Sequence, residues 1–252
     1  MMHLTNSNKK ERIVQHYGDN EMQQKRVRVM LAQWSTLGAA MWFVLPLILP
    51  RMTMPDNAFR YAMTTRLFIR PGGLPLDGTN CEVCGQTVHS FDMHYLNCSM
   101  AKNRDVPRDP IKHGHNIAYG HLQRNAVNAS SEVKHVKLQP SGLPVVPHCI
   151  VQPDLEVDST NGERLVTDFT IANVLCKTAM EGGQDSKMDF YEDVRAQAKE
   201  AKYKVTIEHE QAKFIPFVVT ALGKWHKSAT AFYKQMATFN PMRKGLIRIL
   251  MA

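Results

Sequence analysis

The sequence predicts an α/β domain in its C-terminal half, preceded by a small helical region and a Cys-Cys-His-Cys zinc site. Three observations carry this prediction. From Ile111 onward, segments with period-two alternation are interleaved with segments of three-and-four spacing. Three of the five cysteines cluster with a well-spaced histidine, His94, between Cys81 and Cys98. Pro107 and Pro110 punctuate the chain between the two parts.

A chain of 252 residues is long enough for one large domain or two small ones with a real core. Its hydrophobic fraction of 44% and charged fraction of 21% are those of a globular protein, which argues against a disordered chain. The formal net charge of +8 suits a polyanionic partner without bearing on the fold. An odd, clustered cysteine count differs from a secreted disulfide framework, so a reducing, intracellular compartment is expected. Met1 to Lys10 is polar and no signal peptide is expected there. The apolar run from Leu37 to Leu49 is too short to cross a bilayer and is broken by Pro46, so it reads as core and no membrane partner is expected.

Residues 1–36 read as a basic polar tail leading into a helix, with Lys25, Arg26 and Arg28 close together. Residues 37–80 read as a helical linker region, with Phe59, Ala62 and Met63 at helical spacing and Pro71-Gly72-Gly73 as its stop. Residues 81–110 hold the cysteine cluster and a linker, 111–240 the α/β domain, and 241–252 a basic C-terminal tail. Within the α/β domain Ile111 to Asn128 reads as a helix, and Val145 to Val157 and Leu165 to Ile171 as strands. Alternation sets Leu165, Thr167 and Phe169 on one face and Val166, Asp168 and Thr170 on the other. Asp185 or Ser186 can cap a helix running to about Val205, with Tyr191, Val194, Ala198, Ala201 and Val205 as its expected buried stripe. Phe214 to Leu222 reads as a further buried strand.

Cys81 and Cys84 form a CxxC turn, which can present two thiolates to one Zn²⁺. His94 and Cys98 stand at i and i+4 and share one helical face, which supplies two more ligands; His89 could stand in for His94, but its spacing to Cys98 is worse. Gly85 suits the turn. Four protein ligands close the coordination shell, so such a zinc is structural rather than catalytic. Buried free cysteines or a redox pair are the competing explanations; no thioredoxin-like βαβ context follows the CxxC.

Pro153-Asp154 ends one predicted strand region and Asp168 lies inside the next, with Gly162 between them to permit a hairpin. Two carboxylates brought together at a sheet end can bind Mg²⁺ or Mn²⁺, and a bound metal can activate water against a phosphodiester. Taken alone, an aspartate after proline with another nearby is common in surface turns. Glu156 shares the face of Asp154. Lys199 and Lys202 stand three apart on the following helix, where an ammonium near the metal could stabilise developing negative charge. A basic helix face is more ordinarily just solvated. His115-Asn116 lies on the helix before the strands.

In this order the pieces from about Trp42 to Ala237 resemble the C-terminal region of site-specific non-LTR retrotransposon proteins that carry a restriction-like endonuclease. The resemblance runs through Trp42, Asp56 to Leu67, Cys81, Cys84, His94, Cys98, His115-Asn116, Pro153-Asp154, Asp168, Lys199-xx-Lys202-Tyr203 and Phe214-Ile-Pro-Phe-Val-Val with Gly223 and Trp225. It implies a mixed central sheet flanked by helices, as in PD-(D/E)XK nucleases. It implies that Asp154 and Asp168 bind the catalytic Mg²⁺ and that Lys199 or Lys202 is the catalytic lysine. Thr170 stands where the general pattern has lysine, a departure that the retrotransposon branch shares. His115, Asn116 and Tyr203 would be nucleic-acid contacts. The spacing between His94 and Cys98 is shorter than in that branch. The implied function is an endodeoxyribonuclease nicking double-stranded DNA in the nucleus, as in target-primed reverse transcription. Element RNA and a separate reverse transcriptase would be partners, since no polymerase-like segment is seen and the chain reads as a fragment, truncated copy or domesticated remnant. The alternative is a non-catalytic nucleic-acid-binding remnant of such a protein.

Overall fold

The structure is a computed structural model that describes residues 6–18, 20–36, 39, 63–64, 66–67, 78–81, 85–88, 133–138, 153–159 and 162–238. It has mixed α/β content, with a small mixed sheet and helices. Two compact units are present. One comprises Met1–Pro110, Asn173–Phe190 and Ala221–Lys224; the other comprises Ile111–Ala172, Tyr191–Thr220 and Trp225–Ala252.

In the first unit, residues expected as a tail form two helices, α1 (Asn6–Tyr17) and α2 (Glu21–Trp34). Asn20 caps α2, its side chain accepting from the Gln23 amide at 2.9 Å, so the helix start is satisfied locally. Gly18 closes α1 through its amide to the Val14 carbonyl at 2.9 Å. Any Cβ there would meet Gln24. Val14, Val27 and Met30 are buried, and the apolar stripe hidden among these charges is what turns a polar stretch into a helical hairpin. Short α3 (Lys177–Glu181) belongs to the same unit. Of the predicted 59–63 helix, Met63 is helical; Phe59 and Ala62 lie outside the described residues, as does the predicted 111–128 helix.

The second unit is built on β1 (Val133–Leu138), β2 (Leu155–Ser159), β3 (Arg164–Thr167), β4 (Phe169–Ala172), β5 (Lys213–Phe214) and β6 (Phe217–Thr220), with helices α4 (Phe190–Glu210) and α5 (Lys227–Thr238). β1 pairs antiparallel with β2, and β2 antiparallel with β3. Gly162, at φ 85°, occupies the left-handed region in the β2–β3 connection. β3 then pairs parallel with β5 and β4 parallel with β6. The two parallel pairs share one register, since Leu165 faces Lys213 and Phe169 faces Phe217. They are one strand pair interrupted where Pro216, which has no N–H, comes opposite Asp168. The ladder resumes on either side, with Ile215 N donating to Val166 O at 3.0 Å and Phe217 N to Asp168 O at 3.1 Å. The single strand expected from Phe214 to Leu222 is thus broken at Ile215-Pro216 and ends at Thr220. Parallel pairing needs a crossover connection, and α4 lies within it.

Alternation divides the sheet as predicted. Leu155, Val157, Leu165, Phe169, Ile215 and Phe217 form the main core with Ala229 and Phe232 of α5. The opposite face carries Val218 and Ala172 against Ala196 and Tyr191 of α4. The orientation of α4 is a correction. Val194 and Val205 of the expected stripe are 40% and 55% exposed, and Ala198 and Ala201 are also exposed. The buried positions are Glu192, Ala196 and Tyr203, with Lys199 half-buried in line with them. These step by four, three and four, so they too are one helical face. The sheet face they meet carries carboxylates, and a face bearing ammonium and hydroxyl groups satisfies those better than valine does. The helix also starts at Phe190, after turns from Gly182, rather than at an Asp185 or Ser186 cap. Among the described residues, no helix is long and apolar enough to cross a membrane.

Candidate active site

The β2–β3 hairpin brings the two predicted aspartates together. Leu155 faces Thr167, so one further step puts Asp154 opposite Asp168 on the face turned to α4. The Asp154 amide donates to the Thr167 carbonyl at 3.1 Å, and the Phe169 amide donates to Asp154 Oδ2 at 2.7 Å. Asp154 is therefore fixed by backbone at both ends although it precedes the strand itself. Of the strand expected from Val145 to Val157, residues 145–152 lie outside the described residues and Leu155–Ser159 is strand.

Asp154 and Asp168 are both buried. Burial pushes the Asp168 carboxyl above its ordinary value, and its hydrogen bond to Asp154 and the Asp154 charge act in the same direction, against the lowering effect of Lys199. Like charges this close disfavour each other's ionised forms. A divalent cation would remove that penalty, because Mg²⁺ and Mn²⁺ prefer oxygen ligands and are held by one or two carboxylates. The donor set fits such an ion.

α4 delivers both lysines to this point. Lys199 Nζ lies 2.6 Å from Asp168 Oδ2 and is 20% exposed; Lys202 Nζ lies 3.7 Å from the same oxygen and is 49% exposed. Their three-residue spacing puts them on one side of the helix. Thr170, the strand position without lysine, is buried on the same sheet face. Glu156 shares that face but is engaged by Arg164, whose Nε lies 3.3 Å from Glu156 and 3.1 Å from Asp158. Its charge is thus balanced away from the aspartate pair.

Tyr203 departs from its expected role as a nucleic-acid contact. The side chain is fully buried, stacks on Phe214 with centroids 4.6 Å apart, and bonds to Asp168. Burial first, then the charge and hydrogen bond of Asp168, push its hydroxyl pKa well above the usual range, so it stays protonated. The adjacency of Tyr203 to Lys202 is visible in the sequence; its stacking on Phe214 is not.

At the cysteine cluster, Cys81 is buried and opens a tight turn in which the Gly85 amide donates to its carbonyl at 2.8 Å. Gly85 sits at φ 70°, and Asn80 bridges Thr87 across the turn. Cys84, His94 and Cys98 lie outside the described residues, as do His115 and Asn116.

A polar cluster that the sequence does not reveal joins α4 to α5. His226 Nδ1 accepts from the Ser228 amide at 3.2 Å, capping α5. Its Nε2 therefore carries the proton and donates to Asp193 at 3.0 Å, while Lys227 Nζ lies 2.7 Å from the same Asp193 oxygen. The cluster ties the two helices and is separate in sequence from the aspartate pair. No protein-family model matches this chain, and no curated protein matches it.

Proposed function

We propose that this protein is a metal-dependent DNA endonuclease of the restriction-like type, which nicks double-stranded DNA in the manner of retrotransposon integration. The observation that carries the reading is the meeting of Asp154 and Asp168 across a hairpin with Lys199 Nζ 2.6 Å from Asp168. Asp154 and Asp168 would hold Mg²⁺ or Mn²⁺. A metal so bound polarises a phosphodiester and lowers the pKa of an attacking water. Lys199 sets the charge and orientation of Asp168. Lys202, more open to solvent, offers its ammonium to the phosphate as negative charge builds on it. Attack of water oxygen on phosphorus breaks the bond to the 3′ oxygen, leaving a 3′-hydroxyl and a 5′-phosphate. The Cys81 turn belongs, in this reading, to a structural zinc site with Cys84, His94 and Cys98, and His115 and Asn116 contact the nucleic acid. A nuclear location, element RNA and a separately encoded reverse transcriptase complete the proposal.

Nicking of supercoiled plasmid tests it, with Mg²⁺ against EDTA and wild type against Asp168→Ala and Asp154→Ala. Nicking that needs both metal and both aspartates is the expected result. A folded, zinc-loaded protein that binds DNA with steep salt dependence but never cuts in Mg²⁺ or Mn²⁺ is instead a non-catalytic binding remnant.

A further inference from the structure

Tyr203 does more at the aspartate pair than its packing requires. A phenylalanine would stack on Phe214 equally well, whereas a buried hydroxyl is costly unless it is hydrogen-bonded. The hydroxyl bonds to the Asp168 carboxylate and lies 3.3 Å from Lys202 Nζ. An ammonium can only donate and an ionised carboxylate can only accept. The Tyr203 oxygen therefore accepts from Lys202 and its proton is donated to Asp168. The Lys202 ammonium also lies 4.8 Å from the centroid of the Tyr203 ring, which holds it by the ring's negative face. One buried, stacked side chain thus orients an acid and a base at once. Lys199 holds the Asp168 oxygen Oδ2 from the inner side.

We propose that Tyr203 is a positioning residue that fixes the Asp168 carboxylate for a divalent cation and holds Lys202 at the solvent side of the aspartate pair. This rests on the reading of Asp154 and Asp168 as a metal site. Partners that orient a ligating carboxylate are worth about 10- to 100-fold in metal affinity or activity.

The test uses Mn²⁺ alone as the probe. Binding is followed by loss of the free-ion electron paramagnetic resonance signal, in wild type and in Tyr203→Phe, which keeps the Phe214 stack. The variant should bind Mn²⁺ about tenfold more weakly, with a thermal midpoint within about 4 °C of wild type. A folded Tyr203→Phe with wild-type Mn²⁺ affinity overturns the positioning role. Failure of the wild type to bind Mn²⁺ overturns both this role and the metal site. Weaker binding in the variant, in a protein that does not nick DNA, supports the role of Tyr203 and removes only the nuclease reading.

Discussion

Lys199→Met removes one charge at the aspartate pair while keeping most of the packed stem. At 2.6 Å and an effective dielectric constant of about 20, the gross attraction to Asp168 is about 6 kcal/mol. Two effects reduce the net loss. Lys199 keeps 20% of its side chain in water, which screens the pair. Asp168 can also take a proton once its counter-ion is gone, because burial and Asp154 already disfavour its ionised form. From the ordinary value of 3.8, protonation at pH 7 costs about 4 kcal/mol at most, which caps the loss. The expected destabilisation in EDTA at pH 7 is about 2–4 kcal/mol. A carboxyl whose folded pKa lies above its unfolded one stabilises the fold below the ordinary carboxylate range. It loses that contribution as pH rises through the folded value. Removing Lys199 moves the folded value further up, so the deficit of the variant should shrink by about 1–3 kcal/mol between pH 7 and pH 5. Urea unfolding of both proteins at the two pH values measures this. A variant within about 0.5 kcal/mol of wild type at pH 7, or a deficit independent of pH, refutes the assignment of Lys199 as the counter-ion of Asp168.

The orientation of α4 is tested by a pair of substitutions read in thermal melts: Val205→Ser on the exposed face should change stability by no more than about 0.5 kcal/mol. Ala196→Leu, packed between α4 and the sheet, should cost about 1–3 kcal/mol through overpacking; a costly Val205→Ser beside a neutral Ala196→Leu would mean that the helix is turned the other way. Gly162→Ala meets open space but must hold φ 85°, so denaturant titration should show a purely conformational loss of about 1–2 kcal/mol. His226→Ala removes the α5 cap and the bond to Asp193 and should lower stability by about 1–2 kcal/mol. The Asp193 carboxyl is held below its ordinary value by its bond to Lys227 first and by His226 as well. Its contribution is present above the unfolded value of 3.8 and is lost as pH falls through the lower folded value. Asp193→Asn should therefore flatten the acid limb of urea midpoints measured from pH 6 to pH 3, and an unchanged limb would exclude Asp193 as its source.

Backbone alternation and turn chemistry are enough to bring the aspartates together. Val166, Asp168 and Thr170 share a face because strand side chains alternate, and Gly162 permits the reversal that sets Asp154 opposite Asp168. The spacing of Lys199 and Lys202 on one helix is likewise a local property. The break at Pro216 is less visible, since the missing N–H matters only once the partner strand is known.

The rotation of α4 is decided by tertiary structure. Its sequence carries two plausible stripes, an apolar one through Val194 and Val205 and a mixed one through Ala196, Lys199 and Tyr203. Hydrophobicity favours the first, but the sheet presents two buried carboxylates that need donors. Burial depends on what an element meets across the sheet, and that information lies far away in the chain. The same long-range contact makes Tyr203 a wall of the site rather than a nucleic-acid contact and sets Lys199 deeper than Lys202. The sequence by itself therefore determined which residue types could meet and on which strand face. Only the packed structure decided which side of the helix meets them, because that choice balances apolar burial against the cost of leaving charged oxygens without partners.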